Sequence, residues 1–184
     1  MSVMDKIRSR RSCRKYDPKP VPKETIMQLI EAARLAPSGR NLQPWFFYVV
    51  TNMERNQKIG KEIEPRLIES VPAYAGAAEK MGVSNMLFYD APVVIYCTIK
   101  KDGIDTKELD MGLALENLML VAEELGLGTV PVGWAKVYGT DIVTKELEIP
   151  DDEQFIISMC VGYPDKSVTR SPKDRHEVVA KFFE

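Results

Sequence analysis

TKELDMGLALENLMLVAEELGLGT, residues 106–129, is the stretch on which the fold turns. Leu109, Leu113, Leu115, Leu118, Met119, Val121, Ala122 and Leu125 recur at helical spacing and cover much of the helix circumference. A surface helix carries its apolar residues on one side, whereas a helix that is apolar most of the way round belongs inside a fold. Gly126 supplies the C-terminal stop. The expectation is a central, buried helix from about Thr106 to Leu125.

Downstream of that helix, Thr129–Val132 reads as a short strand, and a helix is expected near Thr140–Leu147. Phe155–Val161 reads as a buried strand. A basic segment, Lys166–Arg175, leads to an expected short terminal helix carrying Val178, Val179, Phe182 and Phe183. Upstream, Pro92–Ile99 is a continuous apolar run and therefore a buried strand. Residues 64–88 show no clear period and are expected to hold one or two short helices and a mobile loop, and residues 54–63 read as an exposed helix. Trp45–Val50 is aromatic and β-branched, hence a strand. Pro22 fits the first turn of a helix whose face is Ile26, Leu29, Ile30 and Ala33, with Pro37 as its stop. Residues 2–9 form a short helix capped by Ser2. The order is helix, helix, strand, helix, strand, helix, strand, helix, strand, which is an α+β sandwich with helices packed on a central sheet.

A chain of 184 residues is long enough for one domain with a single core. The formal net charge of −2 argues against a generic nucleic-acid binder. No apolar run is long enough to span a bilayer, and the opening MSVMDKIRSRRS lacks the apolar region of a signal peptide, so a cytoplasmic location is expected. Cys13, Cys97 and Cys160 are odd in number and form no CxxC pair. Cys97 and Cys160 read as core residues, while Cys13 sits in a basic run where a thiol could be reactive. His176 is the sole histidine, so no protein-bound metal is expected.

Four constellations could carry chemistry. Arg8, Arg10, Arg11, Ser12, Arg14 and Lys15 offer guanidinium forks and a hydroxyl suited to phosphate, although a solvated basic turn has the same composition. Ala36–Trp45 places Ser38, Asn41 and Gln43 around Gly39 between a helix and a strand. In residues 126–134, glycines bracket a short strand and let backbone N–H groups approach a flat ligand. That run follows a helix and lacks GxGxxG spacing, so it is not a dinucleotide fingerprint. Finally, Gly162-Tyr163-Pro164 precedes a second cationic cluster of Arg170, Lys173 and Arg175.

In this order the pieces resemble the FMN-dependent nitroreductase family. The resemblance rests on RRSCRKY at 10–16, APSGRNLQPW at 36–45, YDAPVVI at 89–95, DMGLALENLMLVAEELGLGT at 110–129, PVGW at 131–134, VGYP at 161–164 and KDRHEVV at 173–179. It runs nearly end to end, with residues from about 60 to 88 unanchored. It implies a single FMN-binding domain over residues 1–184, built as a three-layer sandwich with a central, mostly antiparallel sheet flanked by helices. It also implies an intertwined homodimer with flavin sites at the interface.

By resemblance, Arg10, Ser12 and Arg175 hold the FMN phosphate, with Lys173 helping and Arg11 beside them. Arg14 lies near the flavin pyrimidine edge, where positive charge favours the anionic reduced flavin. Pro37, Ser38, Asn41 and Gln43 belong to the same site, the first three reaching the partner subunit's flavin. Backbone groups at Pro131, Val132 and Gly133 face the ring, with the Gly133 N–H near N5. Ser84 and Asn85 fall near a further flavin-edge contact. The activity implied is ping-pong electron transfer from NADH or NADPH to a small electrophilic acceptor such as a nitroaromatic or quinone, with the cofactor and no protein acid or base as the reacting centre. Alternatives are a reductive dehalogenase, a flavin-cleaving enzyme or a non-catalytic flavin-binding module.

Overall fold

Residues Val93–Lys100 set the architecture by alternation. Val93, Ile95, Cys97 and Ile99 pack into one apolar cluster and Val94 and Tyr96 into another, all six buried. A strand buried on both faces needs a layer on each. The computed structural model, which describes residues 2–167, 174–178 and 180–183, supplies both.

The elements are α1 (Val3–Ser9), α2 (Lys23–Arg34), β1 (Trp45–Val50), α3 (Met53–Ser70), α4 (Ala77–Met81), β2 (Val93–Lys100), α5 (Lys107–Glu124), β3 (Gly128–Val132), α6 (Trp134–Glu146) and β4 (Glu153–Gly162). The sheet has the order β1-β2-β4-β3, and each neighbouring pair is antiparallel. Helices α2 and α5 cover one face with Leu29, Ala33, Met111, Leu118 and Ala122. Helices α3 and α6 cover the other with Ile59, Ile63, Leu67, Ala135 and Val143. The expected α+β three-layer sandwich is therefore the observed fold. The α1 start is also as expected, since Ser2 and Asp5 form a reciprocal capping box.

Four expectations need correction. Helix α3 runs to Ser70 instead of stopping at residue 63, and it is buried along Asn56, Ile59, Gly60, Ile63 and Leu67. Pro65 falls inside it, but burial of Leu67 at 0% exposure outweighs the local cost of the proline. Helix α6 begins at Trp134, not near Thr140. Gly139 hides its first turns from a periodicity reading. This residue leaves helical angles, and a Cβ on it would come within 2.3 Å of Ile63 Cδ1, so it exists to let α3 and α6 approach. The expected terminal helix is absent from residues 174–178 and 180–183, where Val178, Phe182 and Phe183 are 91%, 87% and 93% exposed. An amphipathic segment with no face to pack on within its own chain gains nothing from folding there. Lastly, α5 is not buried all round, because Leu109 and Leu113 are 69% and 49% exposed.

The stretch read as a mobile loop is largely folded. It holds a 3₁₀ turn at Pro72–Tyr74, then α4, then a buried turn through Asn85–Tyr89.

Candidate functional site

Arg10 caps the C-terminus of α1, its N–H donating to Lys6 O at 2.9 Å, and the basic loop begins there. The loop then runs along the edge of the sheet. Ser12 pairs with Thr129 in a parallel bridge, and Cys13 N donates to Thr129 O at 2.9 Å. Tyr16 pairs with Pro164, its hydroxyl donates to Cys13 O at 2.7 Å, and Asp17 N donates to Tyr163 O at 2.9 Å. Three of the four motifs thus lie side by side: the basic loop, the Gly128–Gly133 strand and the Gly162–Pro164 turn. Cys13 is buried beneath them with its thiol donating to Lys15 O, which answers the question of its exposure.

The cations divide in their use. The Arg10 guanidinium is mostly covered and lies 3.9 Å from Glu116 Oε1. Arg11 folds back on the chain and donates from Nη1 to Arg8 O at 2.6 Å and Arg10 O at 2.7 Å, so one arm of its fork is engaged on backbone carbonyls while its buried Nε has no partner among the described residues. Arg14 is exposed and lies near the Tyr89 phenol. Burial pushes that phenol's pKa up, and the Arg14 guanidinium beside it draws it partly back.

Pro131 is exposed on β3, an edge strand, where its missing N–H leaves no unpaired donor. Val132 is buried and pairs with Ser158. Gly133 opens α6, is exposed, and has no heavy atom within 4 Å of where a Cβ would sit. An open backbone surface thus meets the positive end of a helix, whose first N–H groups lack intrahelical acceptors. Immediately beyond, Trp134 meets Tyr74 edge-on at 6.2 Å between ring centroids and Tyr138 at 5.7 Å. The Tyr138 hydroxyl donates to Ser70 Oγ at 2.9 Å. This aromatic wall was not found from sequence. Tyr74 belongs to the segment without readable period, and only the folded α3–α4 region brings it to Trp134.

The loop bearing Pro37, Ser38, Asn41 and Gln43 is elsewhere. Gly39 N reaches both Asp110 carboxylate oxygens at 3.2 Å, and a Cβ on Gly39 would come within 2.2 Å of Ile104 Cδ1. Ser38 Oγ accepts from Gln43 N at 3.0 Å, and Gln43 Nε2 donates to Asn41 Oδ1 at 3.1 Å. Arg40, Asn41 and Gln43 all hold left-handed backbone angles, an arrangement that costs energy and concentrates at functional loops. Asp110 is at the start of α5, while the basic end of α1 contacts Glu123 and Glu124 near its end. The helix rises roughly 20 Å between Asp110 and Glu123. Arg10 falls between these ends, against Glu116, roughly 9 Å along the helix from Asp110, and Lys136 in the first turn of α6 reaches Glu108 beside Asp110.

Asn85 is not available at a cofactor edge. It is wholly buried, and its Oδ1 accepts from Leu87 N and Phe88 N. Ser84 is exposed, its N–H donating to Asp90. Lys173 and Arg170 lie outside the described residues. Arg175 is exposed and joins no hydrogen bond or ion pair with another described residue, so a meeting of the two basic clusters is not among the described contacts. No helix among the described residues is long and apolar enough to cross a membrane.

The model of the Nitroreductase family matches residues 7–163. The chain is 29% identical to the 4-nitrobenzoate reductase of Pseudomonas putida, over 89% of this chain and 86% of that protein. A Bacteroides fragilis nitroreductase with bound FMN superposes with a TM-score of 0.83 over all of both chains at 22% identity, a likeness of fold. An FMN- and NADPH-dependent nitroreductase from Sphigopyxis sp. strain HMH superposes with a TM-score of 0.81 at 25% identity, over 96% of this chain and 95% of that one. The chain belongs to the Nitroreductase family of oxidoreductases.

Proposed function

We propose that this chain is a single-domain, FMN-dependent oxidoreductase that takes electrons from NADH or NADPH and passes them to a small electrophilic acceptor, a nitroaromatic or a quinone, in a ping-pong sequence. The observation that carries this reading is the bridge from Ser12 to Thr129, which lays the loop carrying Arg10, Ser12 and Arg14 against the strand that leads to the open backbone at Gly133. A cationic strip next to a flat, side-chain-free surface suits a cofactor with a phosphate at one end and a planar ring at the other. FMN, when bound, supplies the electron and hydride chemistry.

In this reading Arg10 and Ser12 hold the phosphate, with Arg175 and Lys173 brought in from the far end of the chain. Arg14 faces the pyrimidine edge and stabilises negative charge there. Pro131 and Val132 back the ring, and the Gly133 N–H, at the positive end of α6, donates to it. The Tyr74–Trp134 pair walls the space in which an acceptor would lie. Pro37, Ser38, Asn41 and Gln43 serve the partner subunit's cofactor. The homodimer is supported by the exposed apolar side chains of Leu109, Leu113, Val178, Phe182 and Phe183, more than a lone chain leaves in water without cause. Cys13, Cys97 and Cys160 form no disulfide, which agrees with a reducing, cytoplasmic setting.

The test is anaerobic stopped-flow of FMN-loaded protein with NADH and NADPH in turn, followed by mixing with nitroaromatic and quinone acceptors. Flavin bleaching by a donor and recovery by an acceptor, each without the other present, is the expected result. A colour change with neither donor would defeat the reductase reading. Arg10→Ala should weaken FMN binding by about 1.5–3 kcal/mol, the range for a hydrogen bond to a charged group, as measured by fluorescence titration.

A further inference from the structure

Asp110 is a carboxylate 4% exposed in the first turn of α5, and no cation among the described residues forms an ion pair with it. Burying a charge is costly unless it is paired or hydrogen-bonded. The partial positive charge at the start of a helix offsets some of that cost. The rest falls to one amide, the Gly39 N–H, which reaches both Asp110 oxygens at 3.2 Å. That amide belongs to the loop of Pro37, Ser38, Asn41 and Gln43.

The loop is bonded largely to itself. Asn41 N donates to Ser38 O at 3.0 Å, Leu42 N to Gly39 O at 3.1 Å, and Gln43 N to Ser38 Oγ at 3.0 Å. Arg40, Asn41 and Gln43 hold φ of 53°, 55° and 48°, and all three are exposed. Left-handed angles at non-glycine residues persist only where the surroundings impose them. Exposed side chains bury little, so their own packing does not account for the strain. The hold comes from the two ends. Downstream, Lys100 N donates to Pro44 O at 3.1 Å. Upstream, Gly39 is seated so closely that a Cβ would come within 2.2 Å of Ile104 Cδ1 and 2.9 Å of Thr106 Oγ1, which brings its N–H onto Asp110.

We propose that Asp110 is a positioning residue: by taking the Gly39 N–H, its carboxylate fixes the Pro37–Gln43 loop in the shape that presents Ser38 and Asn41 to the cofactor. This inference rests on the proposed role of that loop at the FMN site. Asp110 touches no reacting atom in this account and acts through the loop alone.

The experiment uses the full-length protein with Asp110→Ala, Asp110→Asn, Asn41→Ala and the Asp110→Ala/Asn41→Ala double variant, with Leu118→Ala as a core control on the same helix. It reads FMN affinity by fluorescence titration, amide hydrogen exchange over residues 36–44 without FMN, and thermal midpoint. Asp110→Ala should weaken FMN binding roughly tenfold and quicken exchange in the loop about tenfold. Asp110→Asn keeps an acceptor oxygen and should restore most of both, which also covers the case in which the alanine variant fails to fold. The double variant should bind FMN better than the product of the two single losses predicts. Leu118→Ala should lower the thermal midpoint at least as far as Asp110→Ala while leaving FMN affinity near that of the parent. If Asp110→Ala and Asp110→Asn leave affinity unchanged while Asn41→Ala weakens it, the positioning role is wrong and the reading of the loop stands. If Leu118→Ala weakens binding as much as Asp110→Ala, the loss is general loosening and the proposal is overturned. If the effects of Asp110→Ala and Asn41→Ala multiply in full, Asp110 does not act through the loop and the proposal is overturned. If Asn41→Ala leaves affinity unchanged, the reading of the loop fails and this inference with it.

Discussion

Gly128 is glycine because Cys13 occupies the space a side chain would need. A Cβ there would come within 2.6 Å of Cys13 Cβ and 3.0 Å of Pro164 Cγ. Gly128→Ala should therefore lift the basic loop off β3, lowering stability by about 1–3 kcal/mol and weakening FMN binding in the same variant. Denaturant unfolding and flavin titration check the pair of effects, and a loss of one without the other would separate loop docking from cofactor binding. Arg11 makes the opposite case. In the bare sequence it is indistinguishable from Arg10, yet its guanidinium turns inward onto two carbonyls at the end of α1. Arg11→Ala is expected to cost about 1 kcal/mol of stability. Unaltered stability with much weaker FMN binding would return Arg11 to the phosphate. Residue type and spacing found the cationic loop but could not rank its members, because the direction of each side chain is set by neighbours distant in sequence.

Among the elements, α5 and the α3–α6 pair differ in how well they could be read. The α5 boundaries follow from apolar spacing and Gly126, and Leu118, at 0% exposure, is the kind of residue that spacing identifies. Leu118→Ala should cost about 2–5 kcal/mol in chemical denaturation. The α3–α6 pair was half missed, since Pro65 and Gly139 interrupt its pattern, and its helices are justified only by each other. Arg66 on α3 grips Asp141 on α6 in a two-pronged pair, and Lys58 meets Glu146 at 2.6 Å. Hydrogen bonds from Arg66 and Lys58 hold the Asp141 and Glu146 carboxyl pKa values below their ordinary 3.8 and 4.5. A depressed folded-state pKa means that this contribution is complete above the ordinary value and lost as pH falls through the folded one. Asp141→Asn should thus lower the thermal midpoint slightly near neutral pH, with the difference from the parent closing below pH 3.8. A gap that stays constant down to strong acid would show that the pair contributes nothing through charge. Both partners are solvated, so the effect is small.

At the scale of the whole molecule, the chain leaves apolar surface that its own fold does not cover. Leu109 and Leu113 are one turn apart on α5, and Phe182 and Phe183 stand in solvent at the far end. Leu109→Glu with Leu113→Glu should convert a dimer to monomers in analytical ultracentrifugation, with FMN retention falling in step. A dimer that survives both charges would exclude this face from the interface. By itself, the order of residues determined most of the helix and strand succession, the α+β class and the presence of a cationic loop and a glycine-flanked strand, because period and punctuation are local properties of a chain. Only the tertiary structure decided that α3 continues past Pro65, that Arg11 faces inward, and that the Pro37–Gln43 loop docks on Asp110 while Arg10 lies against Glu116 further along α5. Each of those outcomes is a contest between a local preference and burial or hydrogen bonding by residues far away, and such contests are settled by packing, which sequence spacing does not record.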